Sequence, residues 1–303
     1  MGPMLQPPSE PRQASAPCGF LVLDKPAGLS SHACVAKVRR AYGLRRVGHG
    51  GTLDPAVTGV LPIAVGAATR LLPYLEGDKA YRGVVQLGLR TSTDDLEGEV
   101  LNRSPVPALD PAALDQALQA FRGPIQQRPP QVSAVHVDGE RAYARSRRGE
   151  TVELAARPVT IHRLELLGWD QASSQLELEV HCSAGTYIRS LARDLGEVLG
   201  CGGTLARLRR TEALGFRLDQ AVKLEALPQP LLDPLAALGH LPRQQLAPDQ
   251  WSGWRCGRAF PALQTLEPDT PVAVLGPDGN LAGMARALPG GLLQPKLVFD
   301  AAG

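Results

Sequence analysis

The chain is short of the features that mark common enzyme classes. It has five cysteines, Cys18, Cys34, Cys182, Cys201 and Cys256, with no C-x-x-C pair among them. An odd, scattered set gives no disulfide framework and suits reduced thiols in a cytoplasmic protein. Six histidines form neither H-E-x-x-H nor a Cys/His cluster, so no metal is expected. No apolar run approaches the roughly 18 residues that a membrane-crossing helix needs, so no membrane association is expected. The opening "MGPMLQPPSEPRQASAP" lacks the apolar centre of a signal peptide; residues 1–17 read as a disordered tail. No Gly-Lys-Ser/Thr ending marks a nucleotide P-loop, and no G-x-S-x-G marks a nucleophile elbow. Aromatic residues make up only 4%, which leaves Leu, Val and Ala to fill the core.

What remains is ordinary for a globular chain: 44% hydrophobic and 20% charged residues over 303 positions, room for about two domains. The net charge of +2 is mild, but its distribution is uneven. Lys37, Arg39, Arg40, Arg45 and Arg46 fall in one stretch with no acid between Ala33 and Leu53. Arg141, Arg145, Arg147 and Arg148 form a second group, and Arg207, Arg209 and Arg210 a third. The balancing acids lie elsewhere, as in "DDLEGE" from Asp94 to Glu99. Segregation of this kind points to a phosphate-rich partner.

Local signals mix strands with helices. "CGFLVLDKPAG" reads as a strand ending in a turn, followed by a helix capped by Ser30 or Ser31 and stopped by Gly43. Its apolar face is Cys34, Val35, Val38 and Tyr42. "YRGVVQLG" reads as a strand. Asp110 and Pro111 open a helix that buries Leu114, Leu118 and Phe121. "LELEVHC" alternates, burying Leu176, Leu178 and Val180. A helix after "SAGTY" turns Ile188, Leu191, Leu195 and Val198 inward, ending at Gly200. Without regular β-α-β alternation, the expected class is α+β, with a mostly antiparallel sheet. Residues 227–242, rich in Pro and Leu, read as a packed connector. Beyond them, "TPVAVLGPDGNLAGMARAL" predicts two strands across an Asp-Gly turn and "GLLQPKLVF" a third, a small β-rich domain.

The most unusual stretch is "VGHGGTLDPAVTGVLP", Val47 to Pro62, with the single carboxylate Asp54 among glycines. Pro55 biases Asp54 toward extended backbone and so fixes where the carboxylate points. Gly48, Gly50 and Gly51 clear room for an incoming backbone. A lone carboxylate without companion acids is a poor metal site, which leaves nucleophilic and acid/base roles open.

"GHGGTLDPAVTGVLP" resembles the catalytic motif of the TruB family of tRNA pseudouridine synthases. The likeness extends through "LDKPAGLSSH", "DKAYRGVVQLGLRTSTDDLEGE", "FRGPIQQRPPQVSAVHVDGERAYARSRRGE", "CSAGTYIRSLARDLGEVLG" and "LRRTEALGF" in the family's order. It implies a pseudouridine-synthase fold over 18–241, with helices flanking a mostly antiparallel mixed sheet. More weakly, 242–303 resembles a small PUA-like RNA-binding domain. The implied reaction converts uridine 55 in the tRNA T loop to pseudouridine after the base is flipped out. It uses no cofactor, and no obligate protein partner is expected.

By motif position, the resemblance makes Asp54 the nucleophile, Tyr81 the aromatic that stacks on the target base, and Arg189 the cation paired with Asp54. His49 matches the histidine that pushes into the T loop. Tyr187 and Leu208 match walls of the uracil pocket, and Gly50, Thr52 and Lys25 are further substrate-side candidates. Lys25, Arg39, Arg40, Arg45, Arg46, Arg141, Arg145, Arg147 and Arg148 are candidates for phosphate contacts. His136 stands where many relatives carry lysine. The chain lacks the long basic extensions expected of a guide-RNA ribonucleoprotein subunit, which favours a standalone enzyme, and with no exposed apolar stripe or heptad a monomer is expected. A tRNA-folding chaperone is the competing class, and the trio Asp54, Tyr81 and Arg189 argues against it.

Overall fold

A computed structural model describes residues 17–299, except positions 134, 138, 143, 144, 146, 147, 149, 151 and 153. Arg147, and the expected tail apart from Pro17, lie outside the described residues. In the first half the local signals act as read. Ser30 accepts from the Ala33 N–H to cap α1 (Ser31–Tyr42), and Gly43 ends it in left-handed backbone. Strand β1 (Gly19–Lys25) precedes α1. After it come β2 (Val47–His49), β3 (Thr58–Val65), β4 (Lys79–Leu87) and a hairpin of β5 (Leu89–Thr91) and β6 (Val100–Arg103).

Asp110 caps α2 (Pro111–Gln119) through the Ala113 N–H. The chain continues through β7 (Gly123–Gln127) and a two-residue ladder of β8 (His136–Val137) with β9 (Glu140–Arg141). Then follow the long β10 (Arg157–Asp170), β11 (Gln175–Cys182), α3 (Ile188–Val198), β12 (Gly203–Ala213) and β13 (Phe216–Arg217).

The main sheet runs β1-β3-β12-β4-β11-β10-β7, with β2 beside β3 and β13 beside β12. Among the described residues β3 and β12 are its one parallel pair. The mostly antiparallel mixed sheet is the expected class. Helices α2 and α3 cover one face, setting Leu114, Leu118, Leu191 and Leu195 against Ile161, Leu176, Leu178 and Val180. Each such side chain, wholly withdrawn from water, contributes about 1.5–3 kcal/mol. Elsewhere α1 sets Cys34, Val35 and Val38 against Leu21, Leu23, Leu61 and Ile63. Val198, expected inward, is 57% exposed because the inward stripe of Ile188, Leu191 and Leu195 continues through Leu199, which packs on the core, and not through Val198.

The parallel pairing depends on a glycine. Gly59 lies in register with Arg210, and a Cβ there would sit 2.1 Å from the Arg210 carbonyl oxygen. Its φ of +99° is also one that other residues adopt only under strain.

The C-terminal strands form a separate five-stranded sheet. Its members are β14 (Arg243–Gln245), β15 (Phe260–Pro261), β16 (Pro271–Leu275), β17 (Leu281–Leu288) and β18 (Leu292–Val298), in the order β14-β16-β17-β18-β15. The short helix α4 (Trp251–Arg255) supplies Trp254 to its core. The Asp-Gly hairpin is β16–β17; β14 and β15 are too short to leave a periodic signal. This sheet is docked firmly on the larger unit. Ala273, Met284 and Leu297 share a core with Phe20, Leu71 and Phe216, and the Arg70 guanidinium lies 5.2 Å from the Phe299 ring centre. The 227–242 connector also pairs with β1, Phe20 and Leu232 exchanging both backbone hydrogen bonds. Among the described residues no helix is long and apolar enough to cross a membrane.

Candidate active site

Asp54 stands on the loop between β2 and β3, and the backbone around it is held from below. Ser31, at the start of α1, donates its hydroxyl to Leu53 O and accepts from the Leu53 N–H. Lys25, at the end of β1, is wholly buried and donates Nζ to Pro26 O, Pro55 O and Val57 O at 2.9, 3.0 and 2.7 Å. All three ammonium protons are thereby used on carbonyls. A substrate or phosphate contact by Lys25 is therefore corrected: with no exposed surface it acts as a clamp beneath the Asp54 loop. Burial also pulls its pKa below the ordinary lysine value.

The carboxylate itself faces outward, its side chain 45% exposed, and Arg189 meets it from α3 with Nη2 3.0 Å from Oδ2. The Arg189 side chain is only 9% exposed and is heavily anchored. Its Nη1 donates to Thr93 O at 3.1 Å and its Nη2 to Val132 O at 2.9 Å. A second carboxylate, Asp95, lies 3.4 Å from Nη1. One guanidinium thus joins two carboxylates that sit on different loops. Asp94 and Asp95 are not remote counterweights, as the segregation of the acids in sequence suggested; the turn after β5 folds these two back onto α3, while Glu97 and Glu99 stay exposed. Asp94 pairs with Arg193 at 2.9 Å, one helical turn beyond Arg189. Burial raises the Asp94 pKa, and Arg193 opposes that rise. An acid in "TSTDD" just after a strand was the only signal of this network in the sequence.

Tyr81 lies on β4 with 6% of its surface exposed. Burial pushes its phenol pKa up, while the Arg210 guanidinium beside it works the other way. Leu208 sits two residues before Arg210 on β12, opposite Gly83, where a Cβ would come within 3.2 Å of it. Tyr187 precedes α3, its backbone held in both directions by Gln127, and its ring packs beside Val135, Ala142, Val152 and Leu154.

His49 ends β2, its ring edge-on to His32 with centroids 5.2 Å apart. Its Nδ1 is buried with no hydrogen-bond partner among the described residues, and burial lowers its pKa ahead of repulsion from His32 and Arg210. Gly50 lies against Leu214 and Pro62, where a Cβ would be 2.7 Å from Leu214 Cδ1. Thr52 is exposed.

The basic candidates fall into two groups. Lys37, Arg39, Arg40, Arg45 and Arg46 are exposed on α1 and the turn that follows it. Arg39 also donates to Val47 O at 3.1 Å. Arg148 instead donates to both oxygens of Glu140 at 2.6 and 2.7 Å and to Glu150 at 2.8 Å. Arg145 pairs with Glu150 at 2.9 Å. Both are partly neutralised where they stand. For His136 and Arg141 only the backbone ladder is described. In the third cluster only Arg207 is exposed: Arg209 pairs with Asp24 at 2.8 Å, and Arg210 is fully buried.

No group of three or more His, Cys, Asp or Glu among the described residues is arranged to hold a metal ion. What the structure does offer is one open, cation-paired carboxylate, with the Tyr81 phenol and Leu208 on the strands β4 and β12. These features suit attack on, or proton transfer to, a flat apolar-faced ring.

Comparison with known proteins agrees with the architecture. Residues 39–188 match the family model described as TruB family pseudouridylate synthase (N terminal domain). Residues 189–234 match the tRNA pseudouridylate synthase B C-terminal domain. The chain is 65% identical over 292 residues to tRNA pseudouridine synthase B of Parasynechococcus marenigrum (strain WH8102), covering 95% of this chain and 99% of that one. It is 61% identical to the protein of that name from Synechococcus sp. (strain WH7803), covering 95% and 100%. In fold it is similar to a chain in the structure of an H/ACA RNP bound to a substrate RNA containing 2'-deoxyuridine. There the TM-score is 0.70 at 24% identity, covering 93% of this chain and 84% of that one. A chain of a Cbf5-Nop10-Gar1 complex gives 0.66 at 27% identity, covering 89% and 78%. With matches of this extent laid over the loop, helix and strands that build the site, the chain belongs to the TruB family of pseudouridine synthases.

Proposed function

We propose that this chain isomerises uridine 55 in the T loop of tRNA to pseudouridine, with Asp54 as the nucleophile. The coarser part, a tRNA uridine-to-pseudouridine isomerase, rests on the family and the names of its close relatives. The position in tRNA and the residue roles rest on the motif likeness and the site. The observation that carries them is the Asp54–Arg189 pair. A cation at 3.0 Å aims the carboxylate, yet the Asp54 side chain itself stays open to a substrate.

The reaction is an isomerisation. The N1–C1′ bond breaks, a C5–C1′ bond forms, the proton on C5 leaves and N1 gains one. Nothing is oxidised or consumed, so carboxylate, phenol and imidazole suffice in kind. A uracil held within a folded loop must leave its stack to reach Asp54. His49, at the mouth of the loop, takes the place the base vacates. Tyr81 and Leu208 meet the base, and the phenol is placed to move a proton. The exposed arginines of α1 bind phosphates and supply affinity that falls with salt. T-arm shape supplies most of the selectivity. The protein acts without a protein partner, in the cytoplasm.

The test is pseudouridine mapping on an unmodified tRNA transcript treated with the wild-type chain. Modification at position 55 alone is the expected result. Modification elsewhere, or none despite tight binding, contradicts the reading.

A further inference from the structure

Arg210 is a guanidinium that RNA cannot touch, since none of it is exposed. Burying such a group is unfavourable unless its N–H groups find acceptors. Two acceptors are backbone carbonyls on either side of Asp54. Nε donates to Val60 O at 2.7 Å and Nη2 to Gly51 O at 3.2 Å. A third neighbour is Tyr81, which lies directly opposite Arg210 in the β4–β12 register, phenol beside guanidinium. Gly59 makes the arrangement possible by letting β3 close on the Arg210 backbone, and Gly51, which supplies the second carbonyl, holds a φ of +110° that favours glycine.

The geometry points to Arg210 as a positioning residue for the reaction, one planar fork that fixes the Tyr81 phenol relative to the loop carrying Asp54. This rests on the reading that Tyr81 works on the flipped uridine. A lysine in its place keeps the charge, but its donors all sit on one nitrogen, whereas the Val60 and Gly51 carbonyls are met here by two different nitrogens of the fork, Nε and Nη2. If only charge or bulk mattered, lysine would serve.

The test combines Arg210→Lys and Arg210→Gln, each alone and with Tyr81→Phe. It measures single-turnover conversion of a T-arm stem-loop, RNA binding, thermal unfolding and the NMR signal of 13C-labelled tyrosine Cζ. The Tyr81 signal is identified by its loss in Tyr81→Phe. The expected result is that Arg210→Lys folds and binds RNA normally but converts it at least about tenfold more slowly, as misplaced reacting groups do. Adding Arg210→Lys to Tyr81→Phe then slows conversion no further, and the Tyr81 signal shifts in Arg210→Lys. Multiplying losses in the double variant, or an unmoved signal, overturns the proposal while leaving the Tyr81 reading in place. A Tyr81→Phe chain that converts RNA at the wild-type rate contradicts the Tyr81 reading itself and this proposal with it. Failure of both Arg210 variants to fold assigns the residue to the core alone and also overturns it.

Discussion

Arg189 Nη2 stands 3.0 Å from Asp54 Oδ2, and the same guanidinium reaches Asp95 at 3.4 Å through its other nitrogen. The two acids differ in exposure, 45% for Asp54 and 19% for Asp95. Asp54 is therefore the carboxylate a substrate can meet, and Asp95 the one that holds Arg189 in place.

It follows that Asp95→Asn slows conversion without touching RNA. The amide keeps the shape but loses the charge that anchors Arg189, so the Asp54 pairing loosens. A loss of about tenfold or more in single-turnover rate is expected, with T-arm binding unchanged. Parallel rate and binding measurements on the variant check this.

Lys25→Met separates a clamp from a phosphate contact. It strips three carbonyls of their shared donor beneath the Asp54 loop. Buried unsatisfied acceptors cost about 1–3 kcal/mol, so the variant should unfold at lower urea concentration. The salt dependence of RNA binding should not change. A shallower salt slope with intact stability would show that Lys25 reaches phosphate after all.

Gly59→Ala forces a Cβ to 2.1 Å from the Arg210 carbonyl and strains a φ of +99°. Backbone strain alone is worth about 1–3 kcal/mol, and the clash adds to it. Both melting temperature and conversion rate should fall, because the residue displaced is the one beside Tyr81.

Acid should destabilise the fold through His49. Its pKa is lowered in the folded chain, so on acidification the unfolded chain takes up a proton first, near its ordinary value of about 6.5. Stability is therefore lost as pH falls from there through the folded pKa. Urea midpoints at neutral and mildly acidic pH should diverge less in His49→Gln than in the wild type.

The exposed and the paired arginines should behave differently. Arg45→Ala or Arg46→Ala removes an open cation and should lower the salt slope of RNA binding by about one unit if it meets a phosphate. Arg148→Ala removes a cation already chelated by Glu140 and should change it less.

Much of this was legible from local signals. The Ser30 cap, the Gly43 stop, the Asp110–Pro111 helix start and the Leu176–Val180 alternation each act within a few residues, and each reappears in the fold. The motifs also bring Asp54 and Arg189, far apart in the chain, into one ion pair. What stayed hidden depends on contacts across the sheet. Lys25 and Arg210 look like surface cations until strand pairing places carbonyls around them. Asp95 looks like one of a run of surface acids until the turn after β5 carries it to α3. Charge clustering along a chain does not tell which guanidinium faces water.

If the Asp54 carboxylate does the chemistry while other groups hold the RNA, one substitution separates conversion from binding. Single-turnover conversion of an unmodified T-arm stem-loop by Asp54→Asn, with binding measured on the same preparation, tests it most directly. Wild-type binding with no pseudouridine formed is the expected result. Pseudouridine formed by Asp54→Asn at a rate near that of the wild type would contradict it.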